Sequence, residues 1–489
     1  MRAFEIALLC LLPVSIWAAQ CFARPGGDGQ RKKIRWICLL LVIAIIAVIA
    51  THAVWEGVHW QMIPAYGAAL LAGLMLMQTR WPRWLKIVGA AAVVLLGIGS
   101  CGLSYVLPMF KLPAPTGHYA IGTRIVSIVD PSRTEDADAS GQHRREVVAQ
   151  IWYPALPSHM PRAPYRRRSE TSLASSYQSV NWTHARYDAP AAHAPGGFPI
   201  LLYNPGWNGR RTQDTPLVEE LASHGYVVVG IDHPYNSGPV ALTDGRVIKP
   251  VPTPELFDDV TSEAALYALI NKEADKETDD SLFVLDQVES MNEDPGNILY
   301  HHLDRSRIGA LGFSLGGIVA ANLAYRDTRI GAVLDLDTPL YGDAGKNGIM
   351  QPFMLISEDQ VRTTREEKAR MSFGERRDVT MDEQDYDHQL PLFQRRGNYE
   401  LAVHGTVHSS FQDVALTSPI QSISQAGAIA PYRMIEILRQ YSVAFFDQSL
   451  RGIPSPLLAE KTSPFAEVTV MFASEAREQI AGDHGSASK

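Results

Sequence analysis

The chain has 489 residues, 46% hydrophobic and 20% charged, with 31 prolines, a composition too apolar and too varied for a disordered or collagen-like protein. Its net charge of −8 divides unevenly: residues 1–112 carry ten Lys/Arg against Glu5, Asp28 and Glu56, a net of +7, which leaves −15 for residues 113–489. That acidic remainder shows no zinc-finger or basic-helix pattern, which argues against a nucleic-acid partner. All four cysteines (Cys10, Cys21, Cys38, Cys101) precede it, so it has no thiol for a disulfide, a thiolate metal site or a cysteine nucleophile.

Four runs in the first part are long enough to cross a hydrocarbon layer as helices: about Phe4–Phe22, Ile34–Val54, Trp60–Gln78 and Leu85–Val106. The third, with Gln61, Pro64 and Tyr66 near its start, also reads as an interfacial segment. The first also reads as a cleaved signal peptide, with Ala18-Ala19 as a small-residue site, although Glu5 weakens its amino-terminal charge and the basic cluster follows the apolar run. Arg24, Arg31, Lys32, Lys33 and Arg35 lie between the first two runs and Arg80, Arg83 and Lys86 between the last two, which places both loops in the cytoplasm. Residues 113–489 are then expected outside it, held at a bacterial-type inner or plasma membrane. Tryptophans 36, 55, 60, 81 and 84 fall at span ends, as an interfacial belt requires.

After a stiff Pro113-Ala114-Pro115 linker the pattern changes to short β-rich runs separated by helical stretches. Strands are expected at Tyr119–Val129, Val147–Tyr153, Pro199–Tyr203, Tyr226–Ile231, Ile308–Gly312, Gly331–Leu336, Phe353–Ser357 and, last, Tyr399–Val403. Helices are expected at Thr215–His224, within the acidic stretch Pro254–Asp294, at Gly316–Tyr325 and near Tyr432–Leu450. Continuous apolar strands suggest a sheet covered on both faces. The fold class is therefore α/β, a mostly parallel doubly wound sheet preceded by an α-helical transmembrane region of four spans. The division expected is an anchor over 1–112, a catalytic region over 113–455 with a charged insertion near 358–398, and a tail over 456–489. From Gly452 onward the chain reads as loosely structured, and Gly342–Gly348 as a surface loop.

The strongest chemical signal is Gly312-Phe313-Ser314-Leu315-Gly316-Gly317 between an expected strand and an expected helix, the context of a nucleophile elbow in an α/β-hydrolase. Serine needs a base, and the base an orienting acid. The acid belongs at the end of the next strand, where Asp335 and Asp337 both stand; Asp337, last before the Thr338-Pro339 turn, is favoured, with Asp335 as a buried structural acid. The base belongs after the last strand, where His408 lies beyond the Gly405 break and His404 is still at the strand end as a packing residue. The oxyanion amides are expected from Leu315, next to the serine, and from Trp207 in the loop Tyr203–Gly209. No metal or organic cofactor is implied.

At these residues the sequence resembles the platelet-activating factor acetylhydrolase family of serine lipases (plasma and intracellular type II) and its bacterial dienelactone-hydrolase-like relatives. The resemblance runs over roughly residues 117–452. It is carried by Gly122-Thr123-Arg124, Gln150–Pro154, Leu221–Tyr226, Asp232-His233-Pro234, Gly312–Gly317, Leu336-Asp337, Gln351-Pro352-Phe353 and Gly405–Phe411. It implies an α/β-hydrolase with Ser314, Asp337 and His408 as the triad and Trp207 and Leu315 at the oxyanion. Two departures stand out: Asn204-Pro205 where relatives often have Ser-His, and the 358–398 insertion. The resemblance implies a membrane-anchored ester hydrolase acting on short or oxidised acyl esters, including those of phospholipids, with the bilayer and a lipid or small ester as partners. A hydrolase of soluble esters or polyesters, and an inactive hydrolase-like scaffold, are the alternatives.

Overall fold

The computed structural model describes residues 2–21, 28–78, 81–135, 141, 143–242, 244–252, 260–359, 363–395, 397–459 and 462–471. The chain divides into two compact units: Met1–Lys111 with Pro164–Trp182 and Leu416–Ser424, and Leu112–Ala163 with Thr183–Ala415 and Gln425–Lys489.

The first unit is built on four helices, α1 (Ala3–Cys21), α2 (Asp28–Thr51), α3 (Ile63–Met77) and α4 (Arg83–Val106). Its interior is lined by small side chains, Ala65, Ala68, Ala69 and Ala72 of α3, meeting Leu8 and Leu12 of α1 and Val93 of α4. Small residues let helix backbones approach closely where lipid, not water, is the surrounding solvent. Leu40, Ile43, Ile46, Leu70, Leu95 and Ile98 point outward and are more than half exposed. Four helices here are long and apolar enough to cross a membrane: Ala3–Cys21, Gly29–Glu56, Trp60–Met77 and Arg83–Val106.

The second unit is centred on one large sheet. Its strands are β1 (Ala120–Thr134), β2 (Arg144–Ala155), β3 (Arg162–Pro164), β4 (Trp182–Tyr187), β5 (Phe198–Asn204), β6 (Val227–Asp232), β9 (Leu303–Phe313), β10 (Ile330–Leu336), β11 (Phe353–Ser357), β12 (Tyr399–Val403) and β13 (Val468–Met471), while β7 (Val240–Ala241) and β8 (Val247–Ile248) form a separate ribbon. The order is β13-β12-β11-β10-β9-β5-β6-β2-β1-β4-β3. From β12 to β6 neighbouring strands run parallel; β2 joins β6 and β13 joins β12 antiparallel.

Alternate residues of the central strands feed opposite faces. Ile200 and Leu202 of β5 and Val229 of β6 pack with Val284, Leu285 and Val288 of α6 (Glu263–Met291) and with Ile318 and Val319 of α7 (Leu315–Arg326). Leu201, Tyr203 and Val228 pack with Leu217 and Leu221 of α5 (Thr215–Ser223). With both faces buried, these strands need no polar alternation, which is why they read as continuous apolar runs. From β5 the chain steps to β6 on one side, then returns to β9 on the other. Helix α5, after β5, covers one face and α7, after β9, the other. Such a reversal leaves a crevice at the carboxyl ends of β5 and β9.

Two expectations are corrected, and the insertion gains a structure. The chain after Gly452 contributes β13, whose Val468 and Val470 are buried, so β12 is not the last strand; its apolar alternation lets it cover an otherwise open sheet edge. Gly342–Asn347 is a short helix, α8, whose Ala344 is buried. The charged insertion holds two helices, α9 (Arg365–Arg370) and α10 (Phe373–Gln389). Each opens with a reciprocal capping box, Thr364 with Glu367 and Ser372 with Glu375, a sequence signal that the charge content masks.

Candidate active site

At the crevice, Ser314 after β9 (φ 55°) and Asp337 after β10 (φ 65°), at carboxyl ends of adjacent parallel strands, are non-glycine residues with left-handed backbones. Such conformations are strained for L-residues and persist where surrounding structure enforces them. Here the backbone is pinned to the next strand each time, Ser314 N–H donating to Leu336 O at 3.0 Å and Asp337 N–H to Ile356 O at 2.9 Å. The elbow is also sterically closed. A Cβ on Gly316 would lie 2.0 Å from the Asn204 carbonyl oxygen, and one on Gly317 would lie 2.2 Å from the Asp335 carboxylate.

Two carboxyl groups two residues apart have opposite surroundings. Asp337 is nearly buried, and its Oδ1 accepts Glu358 N–H at 2.7 Å while its Oδ2 accepts His408 Nδ1–H at 2.7 Å. Asp335 points beneath the elbow and is wholly buried; burial, reinforced by the neighbouring Asp337 charge, pushes its pKa well above the ordinary range. Burial thus favours the neutral form of Asp335, whereas Asp337 is the hydrogen-bonded partner of His408.

His408 opens a 3₁₀ turn, His408–Phe411, after β12. Its side chain is about half exposed (48%) and its ring lies 4.6 Å from the Phe313 ring, the residue before Ser314. With Nδ1–H committed to Asp337, Nε2 is the nitrogen available as a base. His404 is an exposed strand-end residue rather than a packing one, bonded to Asp359 at 2.5 Å and Thr469 at 2.7 Å.

The loop after β5 closes the other side. A Cβ on Gly206 would lie 2.8 Å from the Phe313 ring and 3.1 Å from Ser314 Cβ, so Trp207 follows a backbone packed directly on the elbow. Leu315 is the first residue of α7, a position whose N–H has no partner within its own helix. Gln213 fastens this loop to the His408 segment: its Oε1 accepts Gly206 N–H at 3.1 Å, its Nε2 donates to Gln412 Oε1 at 2.7 Å, and its carbonyl accepts Asp413 N–H at 3.0 Å.

Sequence reasoning missed the layer behind the loop. Asn204 Oδ1 accepts Ser281 Oγ–H at 2.7 Å and meets His233 Nε2 at 3.4 Å, while His233 Nδ1 meets Asp280 Oδ2 at 3.0 Å. Burial alone would raise the Asp280 pKa, but the buried Arg145 guanidinium, bonded to both its oxygens, holds it below the carboxylate range. A histidine directly after an apolar strand, at Asp232-His233-Pro234, was the available signal; its ring partners come from α6 and the end of β5, distant in sequence.

Comparison with known proteins fits this geometry. Residues 111–452 match the family described as platelet-activating factor acetylhydrolase, isoform II. The chain belongs to that family. A probable 1-alkyl-2-acetylglycerophosphocholine esterase of Arthroderma benhamiae is 23% identical over 400 residues, 74% of this chain and 94% of the relative. A platelet-activating factor acetylhydrolase of Gallus gallus is 22% identical over 288 residues, 53% of this chain and 64% of the relative. Among solved structures, a ferulic acid esterase from Streptomyces cinnamoneus superposes with a TM-score of 0.57 and 28% identity over 74% of this chain and 99% of its own. The catalytic region of this acetylhydrolase-family chain is thus an α/β-hydrolase, and the chain is an ester hydrolase.

Proposed function

We propose that this hydrolase cleaves short or oxidised acyl esters, including those of phospholipids, through a Ser314–His408–Asp337 triad, from a position outside the cytoplasm where α1–α4 hold it to the membrane. The observation that carries the reading is the 2.7 Å bond from His408 Nδ1 to Asp337, made beside a serine held in a left-handed elbow. His408 Nε2 takes the Ser314 Oγ proton as Oγ attacks the ester carbonyl, and Asp337 stabilises the imidazolium that forms. The amides of Leu315 and Trp207 receive the oxyanion. Collapse expels the alcohol, which takes the proton from His408; water activated by His408 then releases the acyl group.

A lipid substrate is supported by the activities for which the Arthroderma benhamiae and Gallus gallus relatives are named and by four helices suited to a bilayer. The basic segments between the first two and between the last two apolar runs support the orientation. The ferulic acid esterase likeness favours a second reading, a hydrolase of soluble esters. Membranes carrying the wild type or Ser314→Ala, treated with a fluorophosphonate probe, test the nucleophile: labelling is expected in the wild type alone. Acetate release from a short-chain phospholipid against p-nitrophenyl acetate separates the two substrate classes. Absence of labelling in folded wild-type protein overturns the triad and leaves a scaffold.

A further inference from the structure

The helical unit contains a buried polar cluster that the esterase chemistry does not use. Glu5 near the start of α1, His52 at the end of α2, and His59 in the following loop are each 4% exposed or less. Their ligand atoms lie within 4.8 Å of one another. A π-helical turn, His52–Glu56, carries Glu56 into the same place, and π turns recur at functional positions because they re-aim side chains.

The polar atoms are sorted. Each carboxylate keeps one oxygen on the backbone and turns the other inward: Glu5 Oε2 accepts Arg2 N–H at 2.9 Å and Glu56 Oε1 accepts Phe4 N–H at 3.3 Å. Inside the cluster, Glu5 Oε1 is 2.9 Å from His59 Nε2 and 3.8 Å from His52 Nε2, and Glu56 Oε2 is 3.7 Å from His52 Nε2. His52 Nε2 and Glu56 Oε2 are buried with no hydrogen-bond partner. Both imidazoles are held from behind. His59 Nδ1 meets Gln61 Oε1 at 3.0 Å, and the Gln61 amide is oriented by its Nε2 donating to Leu107 O at 3.1 Å. A carbonyl-type oxygen accepts only, so His59 Nδ1 carries the proton and Nε2 faces Glu5. His52 Nδ1 meets the Tyr66 hydroxyl at 2.9 Å.

We infer that Glu5, His52, Glu56 and His59 form a binding site for one divalent transition-metal ion, of the zinc type, at the end of the helical unit opposite the basic loops. Two imidazole nitrogens and a carboxylate oxygen of Glu5 lie within 4.8 Å of one another, a donor set that suits Zn²⁺, and Glu56 Oε2, 3.7 Å from His52 Nε2, stands beside them as a further oxygen. Gln61 and Tyr66 play the part of outer partners that fix imidazole tautomer and orientation. The ion would satisfy His52 Nε2 and Glu56 Oε2, joining α1 to the α2–α3 connection. The ligands share no short motif: they are spread from residue 5 to residue 59, so spacing rules give no sign of them.

The test uses the full-length protein in detergent, stripped with a chelator, reloaded with Zn²⁺ and dialysed. Elemental analysis is expected to find about one zinc per chain in the wild type and almost none in Glu5→Gln or His52→Gln/His59→Gln. Fluorophosphonate labelling of Ser314 and far-ultraviolet dichroism check that each variant is folded. Wild-type protein that retains no zinc, or folded variants that retain as much as the wild type, overturns the site. Should the variants lose helicity, Co²⁺-loaded wild type decides: strong visible bands of a tetrahedral nitrogen/oxygen set support the assignment, and their absence leaves an imidazolium–carboxylate network. Zinc content, dichroism and the Co²⁺ spectrum do not depend on esterase activity, so the metal site and the proposed substrate stand or fall separately.

Discussion

The helical unit and the catalytic unit both gather histidines and carboxylates at the ends of their elements, yet the two sets are held differently. In the catalytic unit His408 stays half exposed and hydrogen-bonds one buried carboxylate, while Ser314 sits on a strained turn. In the helical unit Glu5, His52 and His59 are almost wholly buried, and two of the inward atoms in that cluster lack partners. Chemistry on a substrate needs an accessible base with one polarised side; a buried set with inward-facing lone pairs suits a fixed ion. On the proposed readings, reactivity belongs to the first set and the joining of helices to the second.

The largest expected break is Ser314→Ala, which should lower ester hydrolysis by about 10⁴-fold or more while leaving zinc content and melting temperature of the full chain close to wild type. A matching fall in metal content would mean that the two sets are not independent.

Next comes the carboxylate pair. Asp337→Asn should reduce kcat by about 10³–10⁴-fold, because the amide no longer holds the imidazole in its working tautomer. Asp335→Asn should stay within about tenfold of wild type, since burial favours the neutral form of this acid and it does not meet His408. Steady-state kinetics of both variants, with the order reversed, would move the acid to Asp335.

A smaller effect concerns pH. Burial, partly opposed by a hydrogen bond from Tyr386, pushes Glu400 on β12 from 4.5 up to about 7. The folded chain then holds a proton that the unfolded chain gives up between those values, so this contribution to stability is full below about 4.5 and is lost as pH rises through 7. Glu400→Gln should flatten that decline by up to about 3 kcal/mol, seen by denaturant unfolding at pH 5 and pH 7.5. An unchanged slope would show that Glu400 ionises normally in the fold.

The smallest is Gly206→Ala. Its added methyl meets Phe313 and Ser314 Cβ and should displace the Trp207 amide, lowering kcat by about tenfold, roughly 1.4 kcal/mol, with fluorophosphonate labelling retained. Unchanged kcat would remove Trp207 from the oxyanion assignment.

Much of the catalytic unit was legible in sequence. Phe353–Ser357 and Tyr399–Val403 were placed to the residue, because strands buried on both faces are unbroken apolar runs with polar ends. The β13 strand was missed because four residues at a sheet edge carry little pattern, and the insertion helices because charged faces hide helical periodicity. Asp335 and Asp337 were both visible, but their ranking rested on strand position alone.

By itself, the sequence determined the four apolar helices, the α/β alternation and the Gly-x-Ser-x-Gly elbow, since each is a local pattern: hydrophobic length, apolar runs, and small residues around one nucleophile. Only the tertiary structure decided which aspartate meets His408, that Gln213 ties the Gly206 loop to the His408 segment, and that Glu5, His52, Glu56 and His59 converge. Those outcomes depend on burial and on contacts between distant segments, and a residue's neighbours in sequence do not specify the dielectric or the partners it meets once the chain is packed.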